Sequence, residues 1–154
     1  MHSNASRRLW LGAIAVLGSA ATVRVARADP RDAPIAQPPE PSPRSWMERA
    51  AGMRQRAQAA GDQPYGAVIV RQGRIVGEAP SAVVSRRDPT AHAEMEAIRD
   101  AARRLGQGDL TGCTLYASSR PCAMCEAAAY WAGIDRMIVG ADLADAGPPR
   151  LARC

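Results

Sequence analysis

Two short stretches constrain this chain more than anything else in it: His92-Ala93-Glu94 and Pro121-Cys122-Ala123-Met124-Cys125. Between them they hold one imidazole, two thiols and one further carboxylate. An imidazole and two thiolates make three zinc ligands with a coordination position left open, and the carboxylate remains as an acid/base group. Structural zinc sites normally close with four protein ligands, whereas catalytic ones keep three and hold water in the fourth place. The fold has to bring the two stretches to one point, and this donor set indicates an enzyme.

Helical geometry limits how they can meet. Cys122 and Cys125, three apart at the start of a helix, present both thiols on one face. The positive end of the helix dipole favours their thiolate forms. His92 and Glu94 are two apart, and on a continuous helix of about 3.6 residues per turn they diverge by about 200°. They share a target only if His92 lies in the first turn, beside the cap. Asp88-Pro89-Thr90, just upstream, is turn-and-cap chemistry that suits this. Two helix N-termini are then expected to converge at neighbouring strand ends, where open α/β sheets place their ligands. Each part alone has a plainer reading. A single His is a structural residue, a single Cys-x-x-Cys a redox pair or disulfide, and a single Glu part of a solvated helix face. The conjunction, with a strand between the two stretches, favours the metal.

Periodicity supplies the surrounding elements. Ser45-Trp46-Met47-Glu48 has capping-box form. The helix expected from it carries Trp46, Ala50, Met53, Ala57 and Ala60 on one stripe and ends at Gly61. Residues 67–70 and 75–76 read as a β-hairpin around Gln72-Gly73. A second helix is expected over residues 90–105, burying Ala97, Ile98, Ala101, Ala102 and Leu105. A strand follows at 114–117, then a helix opened by Pro121 at its first position and stopped by Gly133, and a last strand at 137–139. The order α-β-β-α-β-α-β describes a three-layer α/β/α sandwich. Residues 141–154 show no periodicity and receive no element.

The beginning of the chain reads differently. Ser6-Arg7-Arg8-Leu9-Trp10-Leu11 has the form of a twin-arginine motif, an apolar run covers residues 9–23, and Ala26-Arg27-Ala28 has the small-x-small form of a cleavage site. Residues 1–28 are thus expected to be a twin-arginine-type signal peptide. The mature chain then starts at Asp29 in the periplasm, with no stable membrane span after processing. Residues 29–43, with Pro30, Pro34, Pro38, Pro39, Pro41 and Pro43, are expected to form an extended linker with no packed element, leaving 44–154 as the folded domain. Charge supports this division. Four arginines and no acid in residues 1–28 account for +4 of the net +5, leaving +1 on the rest. A polynucleotide partner, which calls for a clustered basic surface, is disfavoured.

The pattern H-x-E…P-C-x-x-C resembles the signature of zinc deaminases acting on nucleobases. Around it, Tyr65-Gly66-Ala67-Val68-Ile69-Val70, residues 88–99 (DPTAHAEMEAIR) and residues 128–136 (AAYWAGIDR) are similar to the cytidine/deoxycytidylate deaminase superfamily. Within it they look most like bacterial guanine deaminases and related nucleoside deaminases. tRNA adenosine deaminases share much of this, while Tyr130-Trp131-Ala132-Gly133-Ile134 leans toward the guanine branch. The likeness runs from about residue 45 to residue 140. It implies a sandwich of the cytidine-deaminase type, with a mixed sheet shortened at its C-terminal edge. It also implies that His92, Cys122 and Cys125 hold one zinc ion per chain and that Glu94 shuttles protons in hydrolytic deamination. The implied partner is a small-molecule nucleobase or nucleoside, guanine favoured, and the implied assembly is a homodimer. Ala93 is expected to offer its backbone N–H to the substrate.

Three features depart from the family pattern. Ser81 stands where the family usually has an Asn that hydrogen-bonds the substrate, which makes Ser81 the candidate contact. Arg120 stands where Glu commonly precedes Pro-Cys, and a cation there either perturbs the site or favours an anionic ligand. The family usually continues through another helix and a fifth strand, so part of a substrate lid or dimer contact is expected to be missing. Cys113 is expected to be a buried small apolar residue, and Cys154 has no assigned role. Two other readings stay open: deamination of adenine, cytosine or their nucleosides, and an inactive zinc-binding member.

Overall fold

The computed structural model describes residues 33–151, so the signal read in residues 1–28 and Cys154 lie outside the described residues. The element order is α1 (Pro43–Ala59), β1 (Gly66–Arg71), β2 (Arg74–Pro80), α2 (Val83–Arg86), α3 (Ala93–Leu105), β3 (Cys113–Ala117), α4 (Ala123–Trp131), β4 (Arg136–Val139) and β5 (Ala144–Gly147). The strands form one sheet in the order β2-β1-β3-β4-β5. β1 is antiparallel to both β2 and β3, while β3 and β4 are parallel, joined through α4. β5 returns antiparallel along β4, so the sheet is mixed and its last strand has only four residues.

Alternation along the strands sends side chains to two faces. On one face Ala67, Ile69, Leu115 and Met137 meet Ala93, Ala97 and Ala101 of α3 and Ala129 of α4. On the other, Val68, Val70, Ile75 and Tyr116 meet Met47 and Ala50 of α1. The result is the α/β/α sandwich. A β-bulge lets β2 serve both faces. Ile69 pairs with Gly77 but Val70 pairs with Ile75, so Val76 is the extra residue. Two glycines let the helices lie close to the sheet. A Cβ on Gly66 would overlap the backbone of α1 at Ala50 and Arg54. A Cβ on Gly77 would stand 2.6 Å from both Ala97 O and Ala101 N of α3.

Several local expectations are corrected. The first helix is capped by Ser42, not Ser45. The Ser45 N–H donates to Ser42 Oγ (3.2 Å) and the Ser42 N–H donates to Ser45 Oγ (3.0 Å). Pro43 takes the first helical position, where its missing N–H is harmless. Ala60 is the exposed C-cap, and Met47 joins the buried stripe. The described part of the proline-rich stretch, from residue 33, forms no regular element before Pro43 but is docked. Gln37 accepts from the Ile75 N–H (2.8 Å) and donates to Ile75 O (2.9 Å), pairing backbone groups of β2 at the sheet edge. Pro121 does not open a helix, since Cys122 is the cap of α4. Two elements were not foreseen. α2 is a single turn ended by Arg87 at φ 53°, too short to carry a period. β5 has no fully buried residue, so its sequence shows no alternation. No helix among the described residues is long and apolar enough to cross a membrane.

Candidate active site

Both donor stretches sit at helix N-termini, and each starts with the cap residue itself. His92 caps α3 with an extended backbone (φ −62°, ψ 154°), and Cys122 caps α4 likewise (φ −76°, ψ 170°). Neither side chain makes a capping hydrogen bond. The extended backbone removes the divergence that a continuous helix would impose on His92 and Glu94. Cys122 and Cys125 occupy the cap and third helical positions, the same pair whose side chains converge in a capping box. The strands fix where these helices begin. β3 ends at Ala117, and the chain crosses the sheet end beside β1, where the Gly66 N–H donates to Ser118 Oγ (3.0 Å) and the Ser118 N–H to Gly66 O (2.9 Å). α4 then starts five residues later.

The convergence is tight. Cys122 Sγ lies 3.7 Å from His92 Nδ1 and 3.7 Å from Cys125 Sγ, and Cys125 Sγ lies 3.6 Å from His92 Nδ1. Zinc–sulfur bonds of about 2.3 Å and zinc–nitrogen bonds of about 2.0–2.1 Å in a tetrahedron need donor–donor edges of about 3.6–3.8 Å. The three edges match, so these residues fit one zinc ion. Among the described residues this is the one group of three such side chains close enough to hold a metal.

Glu94 completes the cluster without joining the triangle. Its Oε2 is 3.6 Å from Cys125 Sγ. Glu94 is 5% exposed. Burial holds its carboxyl above the usual carboxylate range, against smaller opposing effects from its own backbone N–H, Cys125 and His92. Burial also pushes the Cys125 thiol far up, reinforced by the neighbouring Glu94 and Cys122 charges. A carboxylate and two thiolates crowded this way repel one another, and a divalent cation at their centre offsets that repulsion.

A cleft of about 240 Å³ opens onto the cluster, lined by Tyr65, His92, Glu94, Ser119, Arg120 and Cys122. Cys125 lies behind it, fully buried. Two larger clefts, of about 480 and 490 Å³, run along the docked 33–37 segment and share none of these residues. Of the six residues singled out from the sequence, His92, Glu94, Cys122 and Cys125 come together. Ala93 is buried at the first turn of α3 between two of them. Ser81, the candidate substrate contact, faces Asp62. Its hydroxyl donates to Asp62 Oδ1 (3.0 Å), it is 3% exposed, and it does not line the cleft. Cys113 is buried at the start of β3, as expected, and burial raises its thiol pKa.

Sequence reasoning passed over Asp62. It accepts from Ser81 Oγ and the Gln63 N–H on Oδ1, and from the Ser85 N–H (2.9 Å) on Oδ2. It therefore ties the loop that leads to Tyr65 to the segment after β2. Burial alone would raise its pKa, but the donors from Ser85, Gln63 and Ser81 outweigh this and hold it well below the carboxylate range. Tyr65 and Ser119 were also missed as cleft residues. Ser119 had a usable signal, its place just before Arg120-Pro121-Cys122; Asp62, in a loop between helix and strand, had none.

Comparison with known proteins agrees with this geometry. Guanine deaminase of Bacillus subtilis (strain 168) is 47% identical over 83 residues, covering 54% of this chain and 53% of its own length. The tRNA-specific adenosine deaminase of Aquifex aeolicus (strain VF5) is 45% identical over 86 residues, covering 56% and 57%. This chain thus spans a little over half the length of these curated relatives. The X-ray structure of Bacillus subtilis guanine deaminase superposes with a TM-score of 0.61 at 42% identity, covering 63% of this chain and 62% of that one. The family model described as the cytidine and deoxycytidylate deaminase zinc-binding region matches residues 41–141. That span contains all three metal donors and Glu94, and the chain belongs to the cytidine and deoxycytidylate deaminase family.

Proposed function

We propose that this protein is a zinc-dependent hydrolase that deaminates a purine base or nucleoside, with guanine the favoured ring. One observation carries the reading: a buried carboxylate, Glu94, stands 3.6 Å from a corner of a three-donor metal triangle that faces an open cleft. His92, Cys122 and Cys125 would hold the ion. A zinc ion held there would supply Lewis-acid chemistry of the kind that lowers the pKa of water to about 7.

Glu94 does the proton work. Burial raises its affinity for a proton, so it takes one from the attacking water and delivers it to the departing amine. Over one cycle a water is consumed, the ring C–NH2 bond breaks, a ring carbonyl forms, ammonia leaves and Glu94 returns to its starting state. Ala93 contributes an N–H from the first turn of α3, where backbone donors have no helical partner, to a polar atom of the ring. Guanine is favoured by the residues 130–134 and by the near-neutral charge after residue 28, which suits a small molecule better than tRNA. The twin-arginine-like pattern in residues 1–28 supports a periplasmic location for the reaction.

Ammonia release by zinc-loaded protein across guanine, guanosine, adenine, adenosine, cytosine and cytidine tests this. Turnover of a guanine ring supports the proposal; turnover confined to adenine or cytosine rings keeps the chemistry and overturns the base. Silence across the panel with zinc bound favours an inactive zinc-binding member.

A further inference from the structure

One charged group in the cleft has no part in that chemistry. Arg120 lines the cleft with Tyr65, His92, Glu94, Ser119 and Cys122. It precedes the ligand Cys122 by two residues, so its backbone is held at the rim of the metal triangle. Its side chain is exposed, and among the described residues it has no hydrogen-bonding or ion-pairing partner. Among the described residues some arginines pair with carboxylates, as Arg49 does with Glu78 and Arg104 with Asp100, and others such as Arg54, Arg74 and Arg87 do not; Arg120 is set apart by its place in the cleft beside the metal donors. The one carboxylate in the cleft, Glu94, is turned toward Cys125 instead.

An unpaired guanidinium beside a reaction centre is a receptor for an anion. Its planar fork offers five donors and no acceptor, which matches the oxygens of phosphate or carboxylate. Tyr65 and Ser119 line the same cleft, and both residue types carry a hydroxyl able to donate to such oxygens. The charge is local, since the chain after residue 28 carries only +1, and it forms no basic surface of the kind polynucleotides require.

Resting on the deaminase reading, we propose that Arg120 is a specificity-determining residue that receives an anionic oxygen group carried by the substrate. The preferred substrates are then amino-substituted purine-like rings bearing a phosphate monoester or a carboxylate, ahead of the neutral base or nucleoside.

Matched pairs test this and separate the two sources of charge. Guanosine against guanosine 5′-monophosphate probes the phosphate; pterin against pterin-6-carboxylate probes the carboxylate. Ammonia release gives kcat/KM for the zinc-loaded wild type and for Arg120→Gln, Arg120→Lys and Arg120→Glu. Calorimetry on xanthosine and xanthosine 5′-monophosphate gives product affinity without turnover. The anionic member of at least one pair is expected to be favoured by about 10- to 100-fold. That advantage is carried by KM, lost in Arg120→Gln, reversed in Arg120→Glu and partly kept in Arg120→Lys. Equal kcat/KM within both pairs, or an advantage that survives Arg120→Gln, overturns the proposal. If no ring is deaminated, the deaminase reading fails by itself. Arg120-dependent preference for xanthosine 5′-monophosphate then still supports the anion site, and lack of preference overturns it too. A single-stranded RNA that outcompetes the monophosphate would assign Arg120 to a polynucleotide and overturn the substrate class.

Discussion

His92 and Cys122 hold the same place in two different helices, and that place explains why the site works locally. A cap residue has an extended backbone and a side chain aimed at the helix end, where Ser, Thr, Asp or Asn would satisfy an orphan N–H. Here neither side chain does so, and both are left to hold a metal. The helix that loses a capping hydrogen bond, worth about 0.5–2 kcal/mol, regains stability when the metal joins the two caps. Asp62 works in the opposite way, its carboxylate saturated with donors. Its folded pKa lies below the usual value, so its contribution to stability is fully present above about pH 4. That contribution is lost as pH falls through the depressed folded value. Asp62→Asn should therefore unfold at lower urea than wild type at pH 7, with the gap narrowing below pH 4. A gap that is constant with pH would mean that the charge of Asp62 plays no part.

At the scale of elements, the contact between α3 and the sheet governs where His92 and Glu94 point. α3 presents Ala93, Ala97 and Ala101 to the sheet, and Gly77 lets it approach the bulged part of β2. Gly77→Ala puts a methyl 2.6 Å from Ala97 O and Ala101 N. Overpacking of this kind typically costs about 1–3 kcal/mol. Thermal unfolding should show the loss, and an unchanged Tm would mean that α3 shifts freely over β2. This contact was legible only in part. The apolar period of α3 gave its buried face, and the two donor motifs gave both helix starts to within a few residues. Nothing in residues 81–87 announced α2, because one turn is too short for a period. β5 was invisible for a different reason: Ala144 and Asp145 are exposed and only Ala146 packs against the core, so the strand rests mainly on backbone pairing to β4. The misplaced cap at Ser45 came from giving weight to Glu48 when Ser42, followed by Pro43 and Ser45, forms the box instead.

Across the whole molecule, zinc links elements that the sheet alone keeps only adjacent, α3 and α4. A ligand bound only by the native state adds about 2.7 kcal/mol at 100 times its Kd, which for a domain of this size raises Tm by about 5–20 °C. Zinc should produce that rise in the wild type, a chelator should reverse it, and Cys122→Ser should lose most of it. An equal shift in Cys122→Ser would place the ion elsewhere. The export reading also belongs to this scale. Sequencing the secreted chain should find Asp29 first, and an exported chain that retains Met1 would reject it. The site was legible from sequence because metal chemistry restricts residue types and spacing so sharply; what the position of Ser81 in the pattern could not reveal is that its hydroxyl faces Asp62. The central claim, that Glu94 carries the proton at a metal held by His92, Cys122 and Cys125, is tested most directly by Glu94→Gln. Zinc content and ammonia release should be measured together on the best substrate of the panel. The expected result is one zinc per chain as in wild type, with turnover reduced by about 100- to 10,000-fold. Undiminished turnover with zinc retained would contradict it.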